Sequence, residues 1–179
     1  MLPLIALYGT IAGLIVAVPM VWLMLTLTPQ TAPGNGALYG YLTMILAFTA
    51  VFVGIKHYRD RVLGGVIRFG PALLVGLGIS AVASVFYVIG WEISLAYSDF
   101  DYAEAYSKSL VDAARERGAS QAELQKTIAD GASFARMYAN PLYRVPITFV
   151  EMFPVGVLIS LISAALLRNS RLLPARVRG

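Results

Sequence analysis

Four long apolar runs, separated by segments of different character, set the pattern of the chain. They extend over about Pro3 to Leu27, Gly36 to Ile55, Pro71 to Ala96 and Val145 to Leu167. Each run is continuous in Leu, Ile, Val, Ala, Gly and aromatic residues. It does not alternate apolar with polar positions, as the strands of a membrane β-barrel do. Each is near the roughly twenty apolar residues that a helix needs to cross a hydrocarbon layer. Lipid offers no partners for free backbone N–H and C=O groups, so runs of this length must be helices. The pattern predicts an all-α protein, an integral membrane four-helix transmembrane bundle, with residues 1–179 forming one membrane domain.

The segment between the third and fourth runs has another periodicity. In "SDFDYAEAYSKSLVDAARERGASQAELQKTIADGASFARMYANP", Ser120 with Glu123 three residues later is a capping box, and Gly118 before it is a helix stop. The spacing predicts two helices, about Phe100 to Arg117 and Ser120 to Tyr138. Tyr102, Tyr106, Leu110 and Ala113 share one face of the first; Leu124, Ile128, Ala135 and Tyr138 share one face of the second. Two amphipathic helices joined so tightly form an extramembrane helical hairpin, over about residues 100–138, packed face to face or against the membrane surface. Asn140-Pro141 ends it, because the residue before proline avoids helical geometry. The hairpin reads either as a cap over the ends of the spans or as a docking element.

Composition agrees with a membrane location. Hydrophobic residues make up 58% of the 179 and charged residues 13%, with a mean hydropathy of +0.71. No Lys, Arg, Asp or Glu occurs from Met1 to Ile55. The first run has no basic residue before it and exceeds the roughly 7–15 residues of a signal-peptide core, so it reads as a retained helix. The first loop, with its breaker-rich "TPQTAPGNG", carries no charge.

The distribution of basic residues predicts orientation. Lys56, Arg59, Arg61 and Arg68 lie between the second and third runs, and Arg168, Arg171, Arg176 and Arg178 follow the fourth. Positive charge is retained on the cytoplasmic side, which puts both termini inside and the hairpin outside. These clusters are also expected contacts for anionic lipids of the bilayer. The net charge of +4 is therefore a topology signal, and nucleic acid is not an expected partner. With no cysteine and one histidine, His57, neither thiolate nor histidine-cluster metal sites can form. His57 reads as a solvated loop residue. No catalytic motif and no cofactor-binding motif is present.

Of the ten acidic residues, only Glu92 and Glu151 fall inside apolar runs. Each lies about 7–10 Å from the outer end of its run at 1.5 Å per residue, so neighbouring helices would bring them to one depth. A carboxylate at such a place pairs, takes up a proton or reaches toward the interface. Arg144 at the head of the fourth run is the nearest base, and Tyr143 beside it offers a hydroxyl. Trp91 stands next to Glu92. Tyr87 is five residues from Glu92 and off its face. Glu92, Glu151, Arg144, Tyr143 and Trp91 are thus the candidate lining of a polar ligand site, with structural hydrogen bonding as the plainer reading. Small residues recur four apart at Gly9 and Gly13, Gly36 and Gly40, Gly76, Ser80 and Ser84, and Gly156, Ser160 and Ala164. They permit close packing within the bundle or a homo-oligomer contact. Pro19 and Pro154 are expected to kink their helices.

The stretches "FVGIKHYRD", "YVIGWEI" and "FPVGVLISLISA", with "YGTIAGLI" before them, resemble in order a family of bacterial inner-membrane proteins known as domain of unknown function 4199. The resemblance covers nearly the whole chain and is weakest in the hairpin. It implies a four-span protein of the bacterial inner membrane, with acids also at the positions of Glu92 and Glu151, and brings no activity with it. The residues point to a non-enzymatic membrane protein that binds or moves a small or lipidic ligand near the outer leaflet. The alternative is a structural or accessory subunit that binds a partner protein through the hairpin.

Overall fold

The computed structural model describes residues 1–26, 36–98 and 101–174, with only the backbone of residues 36, 37 and 39. The first loop, Phe100, Arg176 and Arg178 lie outside the described residues. Six helices follow in order: α1 (Leu2–Thr26), α2 (Gly36–His57), α3 (Phe69–Tyr97), α4 (Tyr102–Glu116), α5 (Gln121–Tyr138) and α6 (Pro141–Leu167). A π turn, Tyr58–Val62, prolongs α2. Among the described residues there are no strands. Four helices are long and apolar enough to cross a membrane: α1, α2 with its π turn, α3 and α6. The protein is a multi-pass membrane protein.

Around the bundle, α1 lies beside α2, α2 beside α6, α6 beside α3 and α3 beside α1, with α3 also touching α2 across the middle. The reason α3 is central is its run of small buried residues. Gly76, Ser80, Ala83, Ser84 and Gly90 recur at helical spacing on its buried face. Without a hydrophobic drive between helices in lipid, close backbone approach is what holds them together. Gly156 of α6 shows this directly, since a Cβ there would come 2.6 Å from the Cβ of Ser80. Ser80 and Ser160 then hydrogen-bond across the interface, Oγ to Oγ 3.2 Å. On the other side, a Cβ on Gly13 would come 2.4 Å from that of Phe86. The small-residue faces of α1, α3 and α6 are thus filled from within the chain.

Helix bounds depart from the sequence pattern in two instructive places. The second apolar run stops at Ile55, but the helix carries on through Lys56 and His57, because charge at a membrane boundary does not break backbone hydrogen bonding. His57 is therefore on a helix, not in a loop, and bonds through Nδ1 to the Tyr8 hydroxyl at 2.9 Å. The fourth helix begins a turn before Val145. Asn140 caps it, its Oδ1 accepting from the Leu142 N–H at 3.0 Å, and Pro141 takes the first helical position, where a missing N–H costs nothing. Asn140-Pro141 ends the hairpin by starting the next helix. Pro19 and Pro154 each lie inside one continuous helix.

The hairpin forms as its residues dictate. Gly118 adopts φ +73°, and the N–H groups of Gly118 and Ala119 bond back to the carbonyls of Arg115 and Ala114, a glycine-ended Schellman stop. Ser120 and Glu123 cap α5 reciprocally. Ala114, rather than Ala113, is the residue of α4 buried against α5, and Leu110 and Ile128 remain exposed.

Candidate functional site

The last turns of α3 and the first turn of α6 meet under the hairpin. Glu92 lies five residues before the end of α3, and Arg144 lies in the opening turn of α6. The antiparallel course of the two helices brings these side chains level. The guanidinium donates to both carboxylate oxygens, from Nε to Oε1 at 2.8 Å and from Nη2 to Oε2 at 2.5 Å. This bidentate geometry matches the planar fork of arginine to a carboxylate and is the strong form of such a pair. The arginine side chain is 15% exposed and the glutamate 31%. Both sit at the interfacial end of the bundle, where the cost of placing charge in hydrocarbon largely disappears.

A third bond ties the pair to the hairpin. Nη1 of Arg144 donates to the Tyr138 carbonyl at 3.1 Å, and the guanidinium carbon lies 5.7 Å from the centre of the Tyr138 ring. Trp91, buried on α3, donates from Nε1 to the Tyr138 hydroxyl at 2.6 Å. Tyr102 stands edge-on to Trp91 with ring centres 4.9 Å apart, and Tyr106 and Phe134 extend the cluster along the hairpin. Burial pushes the Tyr102 phenol up to about 12 and raises that of Tyr138 as well. These rings lock α4 and α5 onto the bundle end.

Between the hairpin and the bundle lies an open cleft of about 410 Å³ whose lining includes Arg144, Tyr102, Tyr138, Ser98, Leu95 and Asp101. The Asp101 Oδ1 is held by the Glu104 N–H at 2.9 Å, as the cap of α4. The Arg144 guanidinium is the positive group of this cleft.

Glu151 stands apart. It lies seven residues beyond Arg144 along α6, about 10 Å deeper at 1.5 Å per residue. Its interaction is with the hydroxyl of Tyr87, which is likewise displaced from Glu92 by five residues along α3. The two helices thus carry two rungs, Glu92 with Arg144 above and Tyr87 with Glu151 below. The equal depth expected of the two acids fails, because α6 starts a turn earlier than its apolar run. Among the described residues Glu92 bonds to Arg144, and no hydrogen bond links it to Glu151. Glu151 is exposed on the flank of the bundle while Tyr87 is buried. Tyr143 is exposed, and its hydroxyl joins neither rung. Of the five candidate residues, the structure gathers Trp91, Glu92 and Arg144.

At the opposite end is a cluster that the sequence pattern does not disclose. Arg59, grouped there with lipid-facing basic residues, is fully buried. Its Nε donates to Asp60 Oδ1 at 2.6 Å, and its Nη1 to the carbonyls of Leu172 at 2.9 Å and Leu167 at 3.4 Å. Nη2 bonds the carbonyl of Leu173, a residue in the left-handed region at φ +49°. Arg59 closes the C-terminal end of α6, where carbonyls lack helical partners. Lys56 also pairs with Asp60.

The family model for a protein of unknown function, DUF4199, matches residues 7–169, so the chain belongs to that family. No curated protein matches the chain. No solved structure matches it either.

Proposed function

We propose that this member of the family binds a small or lipidic ligand bearing an acidic group, in the cleft between the hairpin and the bundle. In the same reading both termini face the cytoplasm of a bacterial cell, and the cleft opens at the outer leaflet of its inner membrane. The orientation is supported by the gathering of Lys56, Arg61, Arg68, Arg168 and Arg171 toward the other end of the chain's spans.

The observation that carries the ligand reading is the state of Arg144. A guanidinium has five N–H donors; three are taken, by Glu92 twice and by the Tyr138 carbonyl. The remaining two N–H groups belong to a cation that borders an open cleft. Such a group recognises a carboxylate or phosphate, and it needs no rearrangement because Glu92 already holds it in place. Leu95 and the Tyr102 and Tyr138 rings offer apolar surface for the rest of the ligand.

Dodecyl phosphate and dodecanol serve as probes for the purified protein in detergent. Dodecyl phosphate is expected to raise the thermal midpoint and dodecanol not to. The rise disappears in Arg144→Gln and in the charge-neutral Glu92→Gln/Arg144→Gln pair, which removes the cation without stranding an acid. An equal rise in these variants sinks the reading. A second reading, a partner-binding subunit, is favoured by exposed Tyr106, Leu110 and Ile128 on the hairpin. It predicts that deletion of residues 102–138 removes a co-purifying subunit while dodecyl phosphate has no effect on the intact chain.

A further inference from the structure

The basic end of the bundle holds a crevice of about 220 Å³, lined by Tyr8, Val53, Lys56, His57, Asp60 and Arg61. Its form comes from the π turn. In an uninterrupted α-helix, residues five apart such as Lys56 and Arg61 point about 140° away from each other. The wider turn over Tyr58–Val62, closed by the Leu63 N–H on the Tyr58 carbonyl at 3.2 Å, narrows that divergence. Both cations then border one crevice.

Its charge is net positive. Asp60 is shared between Lys56 and Arg59, and Arg59 is buried and turned to the end of α6. Arg61 is exposed and forms no ion pair among the described residues. Lys56 has donors left beyond its bond to Asp60. His57 is held at Nδ1 by Tyr8, which leaves Nε2 as the ring atom for a ligand. When the Tyr8 hydroxyl donates, Nε2 carries the proton and is itself a donor.

The flank of α2 leading to this crevice is apolar. Leu46 is 59% exposed and Val53 49%, and Thr49, Val53, His57 and Arg61 continue the same line at spacings of four. Along it the surface passes from hydrocarbon side chains to cations, the polarity sequence of a phospholipid from acyl chain to phosphate.

We infer that this crevice is a specific site for the phosphodiester headgroup of an anionic phospholipid. Arg61, Lys56 and His57 Nε2 hold the phosphate, and an acyl chain lies along Val53 and Leu46. The net positive lining disfavours headgroups that carry their own cation. A phosphate ester in solution shares the headgroup chemistry but lacks the acyl contact.

The full chain in maltoside micelles is titrated with dioleoyl phosphatidylglycerol, dioleoyl phosphatidylcholine or glycerol phosphate. Binding is read by native mass spectrometry and by the thermal midpoint. Phosphatidylglycerol is expected to bind and to raise the midpoint, and the other two to do neither at equal concentration. Arg61→Ser weakens that binding about fivefold, the share of one interfacial cation, with the lipid-free midpoint unchanged. Arg171→Ser removes another exposed arginine at the same end and leaves binding as it was. Equal binding of phosphatidylcholine overturns the site, as does an Arg171→Ser loss matching that of Arg61→Ser. Glycerol phosphate binding as tightly as the lipid replaces it with a soluble-phosphate site. Should Arg61→Ser lower the lipid-free midpoint, His57→Gln supplies the same comparison and must weaken phosphatidylglycerol binding for the inference to stand. No arm involves Arg144, so failure here leaves the outer cleft untouched.

Discussion

Arg59 and Arg144 occupy opposite ends of the same bundle and do opposite things with the same side chain. Arg59 is fully buried, and each of its three guanidinium nitrogens is bonded, to one carboxylate and to three backbone carbonyls at and just after the end of α6. Arg144 is partly open, bound on one edge by Glu92 and bordering a cleft with donors to spare. The difference lies in the partner. A helix end and the turn after it present several fixed carbonyls that surround Arg59, whereas one carboxylate and one carbonyl engage three of the five N–H groups of Arg144. A buried cation with all three guanidinium nitrogens bonded is a fastening; the other, 15% exposed and bonded to Glu92 and the Tyr138 carbonyl, keeps two N–H groups beyond those bonds.

The sharpest way to break this contrast is to remove each arginine in turn. Arg59→Met should cost the most, about 3 kcal/mol, because the terminal carbonyls lose their donors and the lost partner was buried. Equilibrium unfolding in mixed micelles measures it; a loss under about 1 kcal/mol would mean that water or lipid replaces Arg59 easily. Arg144→Gln should cost less, about 2 kcal/mol, as befits a partly exposed bidentate pair. The cycle with Glu92→Gln should give a coupling of about 1–2 kcal/mol. Its loss should loosen α5 first, since the same arginine holds the Tyr138 carbonyl. Amide exchange shows this, and uniform loosening of all helices would refute the local role. The smallest effect is alkaline. A phenol whose folded value lies above its ordinary 10.0 stabilises the fold fully below that pH, and the contribution fades as pH rises through about 12. Phenolate absorbance of Tyr102 should appear together with faster exchange in the hairpin. Phenolate formation at the ordinary value with the hairpin intact would show that the rings do not clamp it.

Much of the architecture was legible from periodicity. The four apolar runs, the capping box at Ser120 and the stop at Gly118 were all visible because each follows from local chemistry. By sequence Arg59 groups with the basic residues expected to set orientation and face anionic lipids, whereas the structure buries it completely. The structure gives the reason: Met44, Phe48, Val51 and Ile55 form a buried line along α2, and Arg59, four residues past Ile55, is buried with them. Glu92 and Arg144 were recognisable as candidates, but their contact with the hairpin was not.

What the sequence determined by itself is the membrane class, the number of spans and the helical hairpin, since lipid leaves an apolar chain no other way to satisfy its backbone. Which polar side chains meet was decided only in three dimensions. Tyr8 finds His57, Arg59 finds the carbonyls after α6, Arg144 finds Glu92 and Tyr87 finds Glu151. Each of these contacts joins residues distant in the chain, and their meeting depends on which helices are neighbours and how far one is shifted along another. Those quantities come from side-chain packing at glycine and serine positions, and no one-dimensional pattern encodes them.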